Sequence, residues 1–549
     1  MSMIRRKLGP GLLWPGVFLL FIAPSAISQE VPKVASYDIA AQLRPKDKTL
    51  SASEYIHYTN YSNSEIDTLY FNLYPNAFRD ANTLFLRGDR RLRKRCESEG
   101  NWGSLEVREV LLGDDPEDRS GDLIPLTDDD NTVTRLPLPR PLRSGETLDI
   151  RVDFEVKLPE VIDRLGYKGD SFVIAQWYPK LGVFERGEWK CYPYRQNTEF
   201  YADFGDYEVE ITLPEDYVVA ACGQRRSERN NGDGTKTLNY YAPTVHDFAW
   251  AADPDYEVFN DSLDEIEIEL YLKPDHSNKA RRIFSAAKKA LSYCGRRFGN
   301  YPYAKLTVVD AETAGNGVEL PTMITIGVRY FPFCWNRFEE AVTVHEVVHQ
   351  WFYGVVASNQ AEEAWLDEGL TTYLTGKIME QMFGRGNFID FLGIEFGQYH
   401  MDRLTYLWEA STDPICQPGW EFDSELSYFA TTYSKASLAL KTLEGYLGVE
   451  VMDSVLARYS REFRFRHPTT FDFINIAEEV SRQDLSRFFA PVFFGTQACD
   501  YAVSEIESEK RTRREEKTEE VLFRSDIQLR RLGEMILPVE VKIILSDGE

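Results

Sequence analysis

His345-Glu346-Val347-Val348-His349 is the stretch on which both fold and chemistry turn. On a helix, residues four apart share a face, so the two imidazoles reach one metal ion. Glu346, lying between them, is close enough to hold a water there. The flanks agree with a helix. Phe338, Val342, His345 and His349 lie close to one stripe, and no proline occurs between Arg337 and Val356. The competing reading is two histidines packed in a core helix.

A catalytic zinc ion takes three protein ligands and keeps one position open, so a third ligand is expected downstream. Glu368, in Trp365-Leu366-Asp367-Glu368-Gly369, follows the histidine pair after a break at Ser358-Asn359-Gln360. A second helix beginning near Glu362 and returning antiparallel would present Glu368 to the pair. Asp367 and Glu363 compete for the role. Asp367 is expected to face away from the metal, as a surface group or one behind the ligands. Glu363 sits in a first helical turn, where acids favour the helix dipole.

Outward from this centre the hydrophobic period changes twice. Before it, from about Val34 to Trp250, residues alternate on a two-residue period. Tyr207, Val209, Ile211 and Leu213 face one way, and Asp206, Glu208, Glu210 and Thr212 the other. This pattern, with Asn230-Asn231-Gly232-Asp233-Gly234 as a turn, predicts a large antiparallel β region. The basic run Arg90 to Arg95 and the acidic stretch Asp114 to Asp118 inside it are expected to be solvated loops. After about Asp275 the period becomes helical, with short strands at 306–309 and 322–326. The last fifty residues return to strand character, as in Val539, Val541, Ile543 and Leu545.

Composition closes off other classes. The 549 residues carry 62 basic and 88 acidic side chains, a net charge of −26 that repels phosphate backbones and excludes nucleic acid as the main partner. Arg5, Arg6 and Lys7 precede an apolar stretch broken by Pro24, which reads as a leader cut near Ser28-Gln29. The protein is therefore expected to be exported, periplasmic or extracellular. A membrane is a partner only if that leader is retained as an anchor. The seven cysteines form no C-x-x-C pair and are expected to be mostly buried thiols. Neither a G-x-S-x-G elbow nor a phosphate-cradling G-x-x-x-x-G-K-[ST] loop occurs.

With His349-Gln350-Trp351-Phe352 after the pair and W-L-x-E-G around Glu368, the sequence resembles the gluzincin aminopeptidases, the membrane alanyl aminopeptidase family with its leukotriene hydrolase relatives. Gly317-Val318-Glu319-Leu320-Pro321 resembles that family's G-A-M-E-N segment, and Thr432-Tyr433-Ser434-Lys435-Ala436 its Y-S-K-G-A segment. The likeness runs from about residue 36 to about 503. It implies one Zn²⁺ on His345, His349 and Glu368, Glu346 as general base, and Tyr433 as donor to the oxyanion. It implies substrate binding by Gly317, Glu319 and Gln176, with Glu319 holding the free amino terminus of a peptide. The departures are Asn316, Val318 and Leu320, at positions that shape the first side-chain pocket, and the extra residue Tyr353.

The implied fold is multidomain α+β: a leader over 1–28, a saddle-like N-terminal β domain over 32–253, a thermolysin-like, mostly helical zinc domain over 254–498, and an incomplete C-terminal β domain over 499–549. The implied activity is zinc-dependent removal of N-terminal residues from peptides. Two alternatives stay open: a zinc endopeptidase or epoxide hydrolase on the same scaffold, and an exported binding or scaffold protein without catalysis.

Overall fold

A computed structural model describes residues 31–549 apart from 89, 100–101, 114–122, 127–129, 161–163, 312–316, 329–335, 392–393, 410–412, 516–517, 538, 540, 542 and 544–549. The expected leader, the stretch Asp114 to Asp118, Asn316 and Cys334 lie outside the described residues.

The alternating segments form a seven-stranded sheet in the spatial order Gln224–Asn230, Thr235–Val245, Gly205–Pro214, Ala35–Arg44, Thr49–Thr59, Thr147–Lys157, Ser104–Leu112. All neighbours are antiparallel except the central pair, where Tyr37 lies beside Tyr207 in a parallel register. In Gly205–Pro214, Tyr207, Val209, Ile211 and Leu213 are buried, while Asp206, Glu208, Glu210 and Thr212 point outward. The two-residue period thus decides which face meets the core. A four-stranded sheet of Val218–Ala221, Trp250–Asp253, Ser171–Ile174 and Leu165–Lys168 brings Arg164 and Gln176, at the ends of its strands, toward the helical region.

From Glu257 a new, mixed sheet begins, in the order Glu257–Leu263, Ile266–Leu272, Lys305–Asp310, Met323–Ile326, Gly317–Val318. Its three middle strands are parallel, and Gly317–Val318 closes the edge antiparallel to Met323–Ile326. The Ala280–Phe298 helix buries Ile283, Ala287, Leu291 and Cys294, in keeping with the helical period expected after Asp275. One hydrophobic core runs from the β sheets through this sheet into the helices.

Three expectations change. The basic run folds as the Arg90–Glu99 helix, not a loop. The second helix of the metal region begins at Glu368, not near Glu362. A single turn at Gln360–Glu363 and a tighter turn at Ala364–Leu366 precede it. At the C-terminus the strand pairing is a hairpin of Tyr501–Glu515 and Thr518–Arg531, while the described residues Val539, Val541 and Ile543 lie in no strand. Alternation alone makes no strand without a neighbour to accept its hydrogen bonds. Among the described residues Cys96, Cys191, Cys222 and Cys294 are buried.

Candidate metal centre

The Phe338–His349 helix presents His345 and His349 on one face, as the four-residue spacing requires. Their Nε2 atoms are 3.2 Å apart. Glu368, in the first turn of the Glu368–Phe383 helix, brings Oε2 to 3.1 Å from Nε2 of His345 and 3.3 Å from Nε2 of His349. Ligands about 2.1 Å from a tetrahedral zinc lie roughly 3.3 Å from one another, so these three edges fit that ion without rearrangement. Burial works against ionising Glu368, but His349 and His345 outweigh it and hold its carboxyl well below the usual range.

Glu346 is buried, and burial drives its carboxyl well above the ordinary value. Its Oε2 has no hydrogen-bond partner among the described residues. An orphaned carboxylate oxygen next to a ligand set of this kind is suited to holding a water. Gly317 explains why it fits: a Cβ at that position would overlap the Glu346 carboxylate. Gly317 therefore makes room for Glu346, in addition to the substrate contact its motif implies.

Asp367 is not on the surface. It is 1% exposed, and His349 Nδ1 donates to its Oδ1 at 2.5 Å while Gln360 donates to Oδ2. A carboxylate behind a ligating histidine sets which ring nitrogen carries the proton, leaving Nε2 for the metal. Thr371 and Thr375, one and two turns along the same helix, place their hydroxyls 3.3 Å from His349 Nδ1 and 3.5 Å from His345 Nδ1. Glu363 instead accepts from the Thr470 backbone N–H and takes no part.

Tyr433 donates to Glu368 Oε1 at 2.6 Å. It rides on a continuous helix of Glu425–Phe429, Ala430–Lys435 and Ala436–Leu447, whose middle stretch is wound as a wider π-helix. There the Ala436 N–H reaches back to the Thr431 carbonyl. Such single turns re-aim side chains relative to an unbroken α-helix and cluster at functional sites. Tyr428 is buried 6.4 Å away, ring to ring, and makes no such bond.

Glu319 follows the edge strand Gly317–Val318 and is 5% exposed, its carboxylate lying within 4.8 Å of oxygens of Asp367 and Glu368. Gln350 fixes this arrangement: Nε2 donates to the Leu320 carbonyl at 3.0 Å, and Oε1 accepts from the Thr322 N–H at 2.8 Å. The residue beside the second histidine thereby clamps the Glu319 segment to the metal helix. Gln176 is buried, its amide tied to Asp247 and to Lys180 Nζ. The β region reaches Glu319 through Arg164 instead, whose Nη1 lies 3.7 Å from Glu319 Oε1.

Residues 284–491 match the Peptidase family M1 domain. This segment is similar to an M1 domain. It contains every residue from the Glu319 segment to Tyr433. Among similar proteins, the chain is 24% identical over 332 residues to Aminopeptidase M1-B of Oryza sativa subsp. japonica, covering 57% of this chain and 36% of that one. It is 25% identical over 252 residues to Probable aminopeptidase 1 of Sulfurisphaera tokodaii, covering 43% and 31%. The chain thus spans about a third of these relatives. In fold it is similar to the M1 zinc metallopeptidase of Deinococcus radiodurans, with a TM-score of 0.57 at 17% identity, over 84% of this chain and 94% of that one. A mutant of that enzyme bound to a Tyr-Ser-Ala substrate gives 0.56 at 16% identity, over 84% and 94%. The matched segment contains His345, His349 and Glu368, while Arg164 lies outside it.

Proposed function

We propose that this chain is a zinc aminopeptidase, with His345, His349 and Glu368 holding one Zn²⁺. When bound, the ion supplies polarisation of the scissile carbonyl and acidification of a water. The observation that carries the reading is Glu319: a buried carboxylate within 4.8 Å of a metal-ligand oxygen. Arg164, 3.7 Å away, is bound more closely to Glu199 at 2.7 Å, so the two carboxylates share one cation and a peptide's α-ammonium supplies the second. Binding that ammonium puts the first peptide bond, and no later one, beside the metal set.

Glu346 takes a proton from the attacking water at its unpaired Oε2 and passes it to the leaving nitrogen. Tyr433 turns its hydroxyl from Glu368 to the oxygen that gains charge, donating without bearing charge itself. The related crystal structure is bound to a Tyr-Ser-Ala substrate, which supports peptides as the substrate class. The leader-like residues 1–28 support export to the periplasm or the extracellular space.

The test is release of a chromogenic amine from aminoacyl reporters, with a chelator and zinc added in turn, alongside N-acetylated versions. Activity lost with chelator, restored by zinc and absent on acetylated reporters is the expected result. Equal rates on acetylated peptides would overturn the chain-end reading in favour of an endopeptidase.

A further inference from the structure

Two charged residues from the β region stand next to Glu319. Nη2 of Arg164 lies 2.7 and 2.8 Å from the two carboxylate oxygens of Glu199, and Nη1 lies 3.7 Å from Glu319 Oε1. The guanidinium sits over the Phe200 ring at 5.1 Å. The three side chains are 21%, 9% and 7% exposed for Arg164, Glu199 and Glu319. The charges therefore run minus, plus, minus in a largely dry place, where one unit of charge is felt several times more strongly than in water.

We propose that Arg164 and Glu199 set which terminal residue the cleft accepts, disfavouring basic side chains and admitting neutral and acidic ones. The inference rests on the aminopeptidase reading, in which Glu319 receives the α-ammonium. Glu199, Arg164 and Glu319 together carry one net negative charge, and one α-ammonium balances it. A lysine or arginine side chain on the same terminal residue brings a second positive charge toward the guanidinium. An aspartate or glutamate side chain finds its counter-charge there. Removing the charge of Arg164 makes this trio more negative by one unit, and removing that of Glu199 makes it less negative by one. The two changes must push selectivity in opposite directions.

The experiment measures kcat/KM of the zinc-loaded full chain on lysyl, leucyl and glutamyl reporters. The parent protein is expected to turn over leucyl and glutamyl reporters faster than lysyl ones. Arg164→Gln should raise the lysyl-to-leucyl ratio about tenfold, the effect of one unit charge across roughly 10 Å at an effective dielectric of about 20. Glu199→Gln should lower the same ratio, and Arg164→Lys should keep the parent value. A general loss of folding or metal cancels in a ratio, and zinc content with the thermal midpoint checks for it. No shift, or shifts of the same sign in both variants, overturns the inference. Glu319→Gln separates the two readings. If it leaves KM for free-amine reporters unchanged, the aminopeptidase reading itself fails. If it raises KM while the ratios stay put, only the selectivity inference fails.

Discussion

The helical wall and the β wall of this cleft are built by different physics. The metal set, its base and its tyrosine come from two helices and one π-wound turn, and most of their mutual geometry follows from spacing along the chain. Arg164 and Glu199 come from irregular segments flanking short strands, brought to Glu319 only because sheet and helices share one core. Chemistry is thus locally encoded, whereas charge selection is assembled from afar. The first is read from a motif. The second needs the folded chain.

That contrast can be broken from its chemical side first. Glu346→Gln removes the proton carrier without touching a ligand, so kcat should fall about 10³-fold with one zinc per chain retained. Loss of zinc along with activity would show that Glu346 holds the site together instead. Tyr433→Phe should lower kcat about 10²-fold with little change in KM, because its bond strengthens only as charge develops. An equal rise in KM would place the tyrosine on ground-state binding.

Smaller effects sharpen the comparison. Asp367→Asn should weaken zinc affinity about 10-fold to 100-fold in chelator competition, since it loosens the ring orientation of His349. Unchanged affinity would make Asp367 a packing group.

The smallest effect lies at the joint of the two walls. His467 contacts the Ala357 carbonyl through Nδ1 at 2.7 Å and Asp203 of the β region through Nε2 at 3.2 Å. Burial pushes this imidazole down, but Asp203, with Glu185 further off, outweighs it and raises its pKa above the ordinary value. A raised folded-state pKa contributes stability that is complete below the unfolded value and is lost as pH rises through the folded one. The thermal midpoint of the parent should therefore fall relative to His467→Gln as pH rises from about 6 to about 9, by an amount near 1 kcal/mol or less. Parallel midpoint curves for the two proteins would remove His467 from the joint.

Much of the site was legible before folding. The four-residue histidine spacing, the glutamate between and Glu368 downstream each carry their geometry in a helical repeat. Thr371 and Thr375 were readable too, three and seven residues past Glu368 on the same face, but threonines in a buried helix look like ordinary core. Of the two readings of Asp367, a surface group or one behind the ligands, the structure has the second, because the chain enters the helix only at Glu368. Its side chain therefore belongs to the preceding turn and points back to His349. The partners of the Gln176 amide, Lys180 and Asp247, could not be read from the sequence, since Asp247 lies 71 residues away.

The amino-acid order by itself determined the two periodic regions, the candidate metal triplet and the glutamate between its histidines, since each rests on repeats of 2 or 3.6 residues that a chain carries wherever it goes. Only the tertiary structure decided what surrounds Glu319. Gln350 holds it from one side of the chain and Arg164 from another, more than 150 residues away. Contacts between residues so far apart depend on how sheets and helices pack, and no local repeat records them.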